Sequence, residues 1–94
     1  MMKKKVAILG STGSIGKCLI DIIKKDKKNF EIILLSADEN HKELLKQAKF
    51  FKVKNLIITN RESYNKIKRD AYSKKIQIFN NFNYLSKIFK KKID

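Results

Sequence analysis

Apolar residues in this chain follow two rhythms that alternate along its length. Val6-Ala7-Ile8-Leu9 is an unbroken apolar run that stops at Gly10, and such a run predicts a strand covered on both faces. From Ser14 to Lys25 the spacing becomes helical. Ile15, Cys18, Leu19, Ile22 and Ile23 are expected on one face, with Ser14, Lys17, Asp21, Lys24 and Lys25 on the other. Phe30 to Leu35 (FEIILL) predicts a second buried strand. Asn40-His41-Lys42-Glu43 has the form of a capping box, with Asn as N-cap and Glu at N3. The helix it opens carries Leu44, Leu45, Ala48 and Phe51 on its apolar face. Leu56-Ile57-Ile58 predicts a third strand, and Asn60 can cap a short helix bearing Tyr64, Ile67 and Ala71. Ile76-Gln77-Ile78-Phe79 reads as an edge strand. Asn80 or Asn81 can then cap a last helix with Phe82, Leu85, Ile88 and Phe89 inward.

The predicted order is βαβαβαβα. Strands that alternate with helices call for a parallel sheet with right-handed crossovers and helices on both faces. The expected fold class is therefore α/β, a Rossmann-like, doubly wound parallel sheet. Ninety-four residues suit one small domain. A chain of this length buries somewhat over ~60 % of the surface it exposes when unfolded, so its core is modest.

The chain has three glycines, and all lie in Gly10-Ser11-Thr12-Gly13-Ser14-Ile15-Gly16; it has no proline. This segment leaves a predicted strand and opens a predicted helix, the context in which a glycine fingerprint has meaning. The first glycine permits the tight turn, the second lets backbone approach a diphosphate, and the third lets helix and strand pack closely. Amides at the helix N-terminus, with the helix dipole, would hold the anion. Ser11, Thr12 and Ser14 would add hydroxyl donors at the same mouth. The spacing is GxxGxxG, a variant of GxGxxG. A Walker A loop is excluded, because Gly16-Lys17 is followed by Cys18 and not by Ser or Thr.

Charge complicates this picture. The formal net charge is +14, which suggests a polyanionic partner. Of the 23 basic residues only Arg61 and Arg69 are arginine, which leaves 21 lysines spread from Lys3 to Lys92. Specific phosphate and base recognition favours the arginine fork, so the spread reads as a solvated, lysine-biased surface. A basic protein that binds nucleic-acid backbones without sequence preference is the alternative from another class. Cys18 is the single cysteine, which excludes an internal disulfide, and it reads as a small core or core-edge residue. Val6–Leu9 is far too short for a signal or membrane segment, and a cytoplasmic protein is expected. His41 is the only histidine and sits at a helix start, and Asp70 and Asp94 have no acidic neighbour at metal-ligand spacing; no metal ligand and no catalytic residue is assigned.

The strings "VAILGSTGSIG", "LIDIIKK", "NFEIILLSA" and "ELLKQAKFFKVKNLIIT" make the chain similar to the N-terminal region of the 1-deoxy-D-xylulose 5-phosphate reductoisomerases. The resemblance runs from about residue 3 to residue 60 and more loosely to residue 94. It implies an NADPH-binding domain that precedes a catalytic domain in an oxidoreductase of isoprenoid precursor synthesis, by the methylerythritol phosphate pathway. Carried over by position, Thr12, Gly13, Ser14 and Ile15 match the diphosphate-binding turn. Gly10, Ser11 and Gly16 match its frame, and Asn40 matches an asparagine of the cofactor site.

Two departures from the family pattern are visible. Before that asparagine the family has a small residue and then a basic one that meets the 2′-phosphate of NADPH; this chain has Asp38-Glu39. At about 5 Å and an effective dielectric of about 20, one such carboxylate repels a phosphate charge by roughly 3 kcal/mol before screening. Either the acids turn preference toward NADH, by holding the ribose 2′-hydroxyl, or the site is no longer under a cofactor's demand and they are only a solvated loop before an N-cap. The family's metal ligands and catalytic residues lie beyond the matched region. Residues 1–94 are thus expected to be a partial, truncated NAD(P)-binding domain without the catalytic and C-terminal domains, a fragment or degraded remnant not catalytic alone. The divalent metal of the family has no ligands here. The expected partners are a dinucleotide and a separate chain carrying the missing domains, with no membrane. The Ile76–Phe79 strand is expected at the outer edge of the sheet, leaving Val6–Leu9 as an unpaired apolar edge.

Overall fold

A computed structural model describes residues 3–69 and 76–84. Its elements are β1 (Lys4–Ile8), α1 (Ser14–Lys24), β2 (Phe30–Ala37), α2 (His41–Phe51), β3 (Asn55–Ile58), α3 (Arg61–Lys68) and β4 (Gln77–Phe79), with 3-10 turns at Lys27–Asn29 and Phe82–Tyr84. All strand pairs are parallel, in the order β1-β2-β3-β4. The predicted alternation and the placing of β4 at the outer edge therefore hold. Ala71, Leu85, Ile88 and Phe89, expected on helical faces, lie outside the described residues, and Phe82 is exposed.

A sheet that grows in one direction through right-handed crossovers carries its connecting helices on one face. Accordingly Ile20 and Ile23 of α1, Leu44, Leu45 and Ala48 of α2 and Ile67 of α3 join one core with Ile8, Ile32, Leu35, Ala37, Leu56 and Ile58. Helices are expected on both faces of the sheet, but the three described ones all cover the same face. Ile33, Leu34 and Ile57 make a separate buried cluster, with Ala7 and Phe79 against it.

The division of β2 between these clusters exposes a feature that the run FEIILL conceals. Val6 pairs with Ile32 but Ala7 pairs with Leu34, so Ile33 is an extra residue, a bulge. Ile33 and Leu34 therefore share a cluster, and Leu35 returns to the helix-covered one. Asn55 Nδ2 donates to the Ile33 carbonyl at 3.1 Å, satisfying the backbone group at the bulge.

The rotation of α1 corrects the sequence reading. Its buried positions are Gly16, Ile20 and Ile23, whereas Ile15, Cys18, Leu19 and Ile22 are exposed. Two adjacent stripes at i, i+4, i+7 are both apolar or small, so periodicity alone does not choose between them. Gly16 decides: a Cβ built on it would lie 2.1 Å from the Gly10 carbonyl oxygen and 2.6 Å from Ser11 Cα. Only the glycine-bearing stripe can approach the turn that closely. Cys18 is accordingly exposed and not at the edge of the core.

Candidate functional site

In a parallel sheet every strand ends on the same edge, and ligands in such folds bind outside those carboxyl ends. Here that edge gathers Gly10–Gly13 after β1, Asp38–Asn40 after β2, Thr59-Asn60 after β3 and Asn80-Asn81 after β4.

The glycine-rich turn is fixed from behind. Gly10 has φ +70°, a left-handed conformation that costs other residues ~1–2 kcal/mol. Its N–H donates to Ser36 Oγ at 3.0 Å. The Ser11 N–H donates to the Ser36 carbonyl at 2.8 Å, and the Ser11 hydroxyl donates to the same oxygen at 3.3 Å. Ser11 is fully buried. Its hydroxyl, expected at the mouth, instead ties the turn to β2, so Ser11 acts as frame. Gln47 of α2 donates from Nε2 to the Ser11 carbonyl at 2.9 Å. Gly13 N–H closes the turn on the Gly10 carbonyl at 3.1 Å.

Ser36 and Gln47 escaped the sequence reading, although each carries a signal. Ser36 is the polar residue in the run IILLSA, and Gln47 lies on the apolar face of α2 among Leu44, Ala48 and Phe51. Gln47 Oε1 is buried and takes no hydrogen bond among the described residues. A buried acceptor without a donor costs on the order of 1–3 kcal/mol. Replacing Ser36 by alanine removes the acceptor of Gly10 N–H and is expected to cost about 1–2 kcal/mol. Thermal melting should then show a loss of roughly 5–15 °C, given ~4–8 °C per kcal/mol for a domain of this size.

The front of the turn is open. Gly13 is the N-cap of α1 and supplies no side-chain cap. The other two described helices are capped from side chains: Asn40 Oδ1 accepts from Glu43 N–H at 3.2 Å, and Asn60 Oδ1 accepts from Ser63 N–H at 2.9 Å. Among the described residues the first amides of α1 therefore have no side-chain acceptor. Gly13, Ser14 and Ile15 are exposed, and Thr12 is half-buried. Among the described residues a Cβ on Gly13 would meet the Gly10 carbonyl oxygen alone within 4 Å, at an ordinary 3.5 Å. Gly13 thus leaves clear space in front of amide donors that carry the positive end of the helix dipole.

The loop after β2 has its own anchors. Asp38 Oδ1 accepts from Thr59 Oγ1 at 2.5 Å, and Asn60 N–H donates to the Asp38 carbonyl at 2.9 Å. Asp38, Glu39 and Asn40 are exposed at the sheet edge that carries the glycine turn. The expected capping box is half formed. Asn40 caps α2, while the Glu43 carboxylate lies 3.5 Å from Gln47 Nε2. Among the described residues no group of three or more His, Cys, Asp or Glu could hold a metal ion. No helix among them is long and apolar enough to cross a membrane.

The model of one family, 1-deoxy-D-xylulose 5-phosphate reductoisomerase, matches residues 6–93. A reductoisomerase of that name from Pelagibacter ubique is 51 % identical over 86 residues, which cover 92 % of this chain and 22 % of the relative. Among solved structures, the reductoisomerase from Zymomonas mobilis in complex with NADPH superposes with a TM-score of 0.76 at 29 % identity. That superposition covers 83 % of this chain and 21 % of the other. A DOX-P reductoisomerase in complex with magnesium shares the fold, with a TM-score of 0.70 at 23 % identity, over 83 % of this chain and 19 % of that one. The chain thus spans about a fifth of the length of the proteins it matches. These matches give no support to the nucleic-acid alternative. On this fold, this glycine turn and a family match along nearly the whole sequence, the chain belongs to the 1-deoxy-D-xylulose 5-phosphate reductoisomerase family.

Proposed function

We propose that the chain is the first part of an NAD(P)-binding domain, and that residues Gly10 to Gly16 hold the diphosphate of a nicotinamide dinucleotide. The observation that carries this reading is the first turn of α1, whose N-cap is a glycine with open space before it while the other helices bear asparagine caps. In this reading Thr12, Gly13, Ser14 and Ile15 meet the diphosphate, Gly10, Ser11 and Gly16 form the frame, and Asn40 lies beside the cofactor. The NADPH complex of the Zymomonas relative supports the choice of ligand. Bound dinucleotide would supply the hydride of an oxidoreductase in isoprenoid precursor synthesis. In this reading the substrate and divalent-metal sites lie in parts of the family polypeptide that this chain does not match, since it covers 22 % of the Pelagibacter relative.

That remainder has a place to dock. Among the described strands β1 pairs with β2 alone. Val6 and Ala7 are only half-buried, and Leu9, Ile15, Leu19 and Ile22 expose apolar surface. An open parallel edge beside apolar surface invites a further strand. In the proposed reading the rest of the fold supplies it, either in the same polypeptide or as a separate chain.

Asp38 and Glu39 set the expected preference. With two carboxylates where a 2′-phosphate would approach, NADPH is expected to bind no more tightly than NADH. Replacing both acids together, Asp38→Asn with Glu39→Gln, should raise NADPH affinity several-fold relative to NADH. Calorimetric titration with NADPH, NADH and a short DNA duplex at two salt concentrations tests the reading. Saturable dinucleotide binding that persists at the higher salt supports it. Binding of DNA alone, falling steeply with salt, would overturn it, and a strong NADPH preference would overturn the role of the two acids.

A further inference from the structure

Gln47 holds the Ser11 carbonyl, and that contact controls more than one atom. A peptide bond is planar and trans, so its C=O and N–H point in opposite directions. The Ser11 carbonyl points inward to Gln47 Nε2 at 2.9 Å. The N–H of the same peptide unit, which belongs to Thr12, therefore points outward, away from α2. Among the described residues no protein acceptor takes it. Ser11 is fully buried and Thr12 half-buried, so this peptide plane stands at the boundary between the core and the mouth of the turn.

Gln47 is itself 5 % exposed, and its Oε1 is left without a donor. Packing does not require an amide there, since a methionine would fill similar space on the apolar face of α2 and would only exchange one unpaired acceptor, Gln47 Oε1, for another, the Ser11 carbonyl. What the amide supplies is the 2.9 Å bond to Ser11, with a longer 3.5 Å contact to the Glu43 carboxylate one turn away on its own helix. We infer that Gln47 is a positioning residue, which sets the Ser11–Thr12 peptide plane so that Thr12 N–H faces the diphosphate. It touches no ligand itself. This role rests on the proposed binding of a dinucleotide at the glycine-rich turn, and it adds α2 to the elements that shape that turn.

The variant Gln47→Met tests the role, with Gln47→Glu as a second arm that sets an acceptor against the Ser11 carbonyl. Three quantities are read: melting temperature without ligand, affinity for NADH and NADPH, and the Thr12 amide resonance in the ligand-free protein. Gln47→Met is expected to melt within a few degrees of the parent, to move the Thr12 resonance, and to weaken dinucleotide binding about 5- to 20-fold. Gln47→Glu should weaken it at least as much. A Gln47→Met protein that binds like the parent with the Thr12 resonance in place overturns the inference while leaving the proposed function standing. So does a loss of affinity matched by an equal loss of stability, which marks a merely structural residue. A parent protein that binds no dinucleotide overturns both.

Discussion

Gly16→Ala is expected to cost about 3 kcal/mol or more and to melt the protein at least ~10 °C below the parent. The added Cβ would lie 2.1 Å from the Gly10 carbonyl oxygen, 2.6 Å from Ser11 Cα and 2.9 Å from the Gly10 carbonyl carbon. All three are backbone atoms, so no side chain can swing aside. Helix propensity favours alanine by only ~1 kcal/mol and does not offset the clash. The turn would have to move off the start of α1, although Ser36 and Gln47 hold it on the other side. Native small domains are stable by roughly 5–15 kcal/mol in total, so the loss is a large share of the whole. Circular dichroism melting measures it directly. A Gly16→Ala protein as stable as the parent would show that α1 does not pack on the turn as described.

Gly13→Ala is expected to do the reverse, keeping the fold and losing the ligand. The backbone at Gly13 is extended, with φ −80° and ψ 176°, which any residue adopts. Its added Cβ would meet one atom within 4 Å, at ordinary contact distance. Alanine is a slightly poorer N-cap than glycine but restricts the unfolded chain more, so the net change in stability is within about 1 kcal/mol. The methyl group would nevertheless occupy the space before the first amides of α1. A diphosphate held there at hydrogen-bond distance would be displaced, and dinucleotide affinity should fall about 30-fold or more. Melting and titration of the same preparation separate the two effects. Together the two glycines make a paired test, one answering to packing and the other to the ligand.

The difference between them shows how far the sequence could be read. The turn itself was legible because its glycines sit between a strand-like run and a helical one, where each has a separate backbone task. Asn40 and Asn60 were legible as caps for the same local reason, and both make the expected bonds. The facing of α1 was not, because Ile15, Leu19 and Ile22 offer an apolar stripe as regular as Gly16, Ile20 and Ile23. What selects the second stripe is a backbone contact over a few residues, which hydropathy does not record. The bulge at Ile33 was hidden for a related reason. A strand apolar on both faces carries no alternation, so a slipped residue leaves no trace in the pattern. Ser36 and Gln47 brace the site from β2 and α2 across separations of 26 and 36 residues. Their only local sign was a polar residue in an apolar setting.

An amide-resolved NMR titration of the chain with NADH and with NADPH reports which backbone groups meet the ligand, and so decides whether the glycine-rich turn holds a dinucleotide. Saturable shifts are expected at the amides of Thr12 to Gly16, little changed by added salt, and abolished in Gly13→Ala. Shifts scattered over the lysine-bearing surface and erased by moderate salt, with the amides of the glycine-rich turn unmoved, would contradict it.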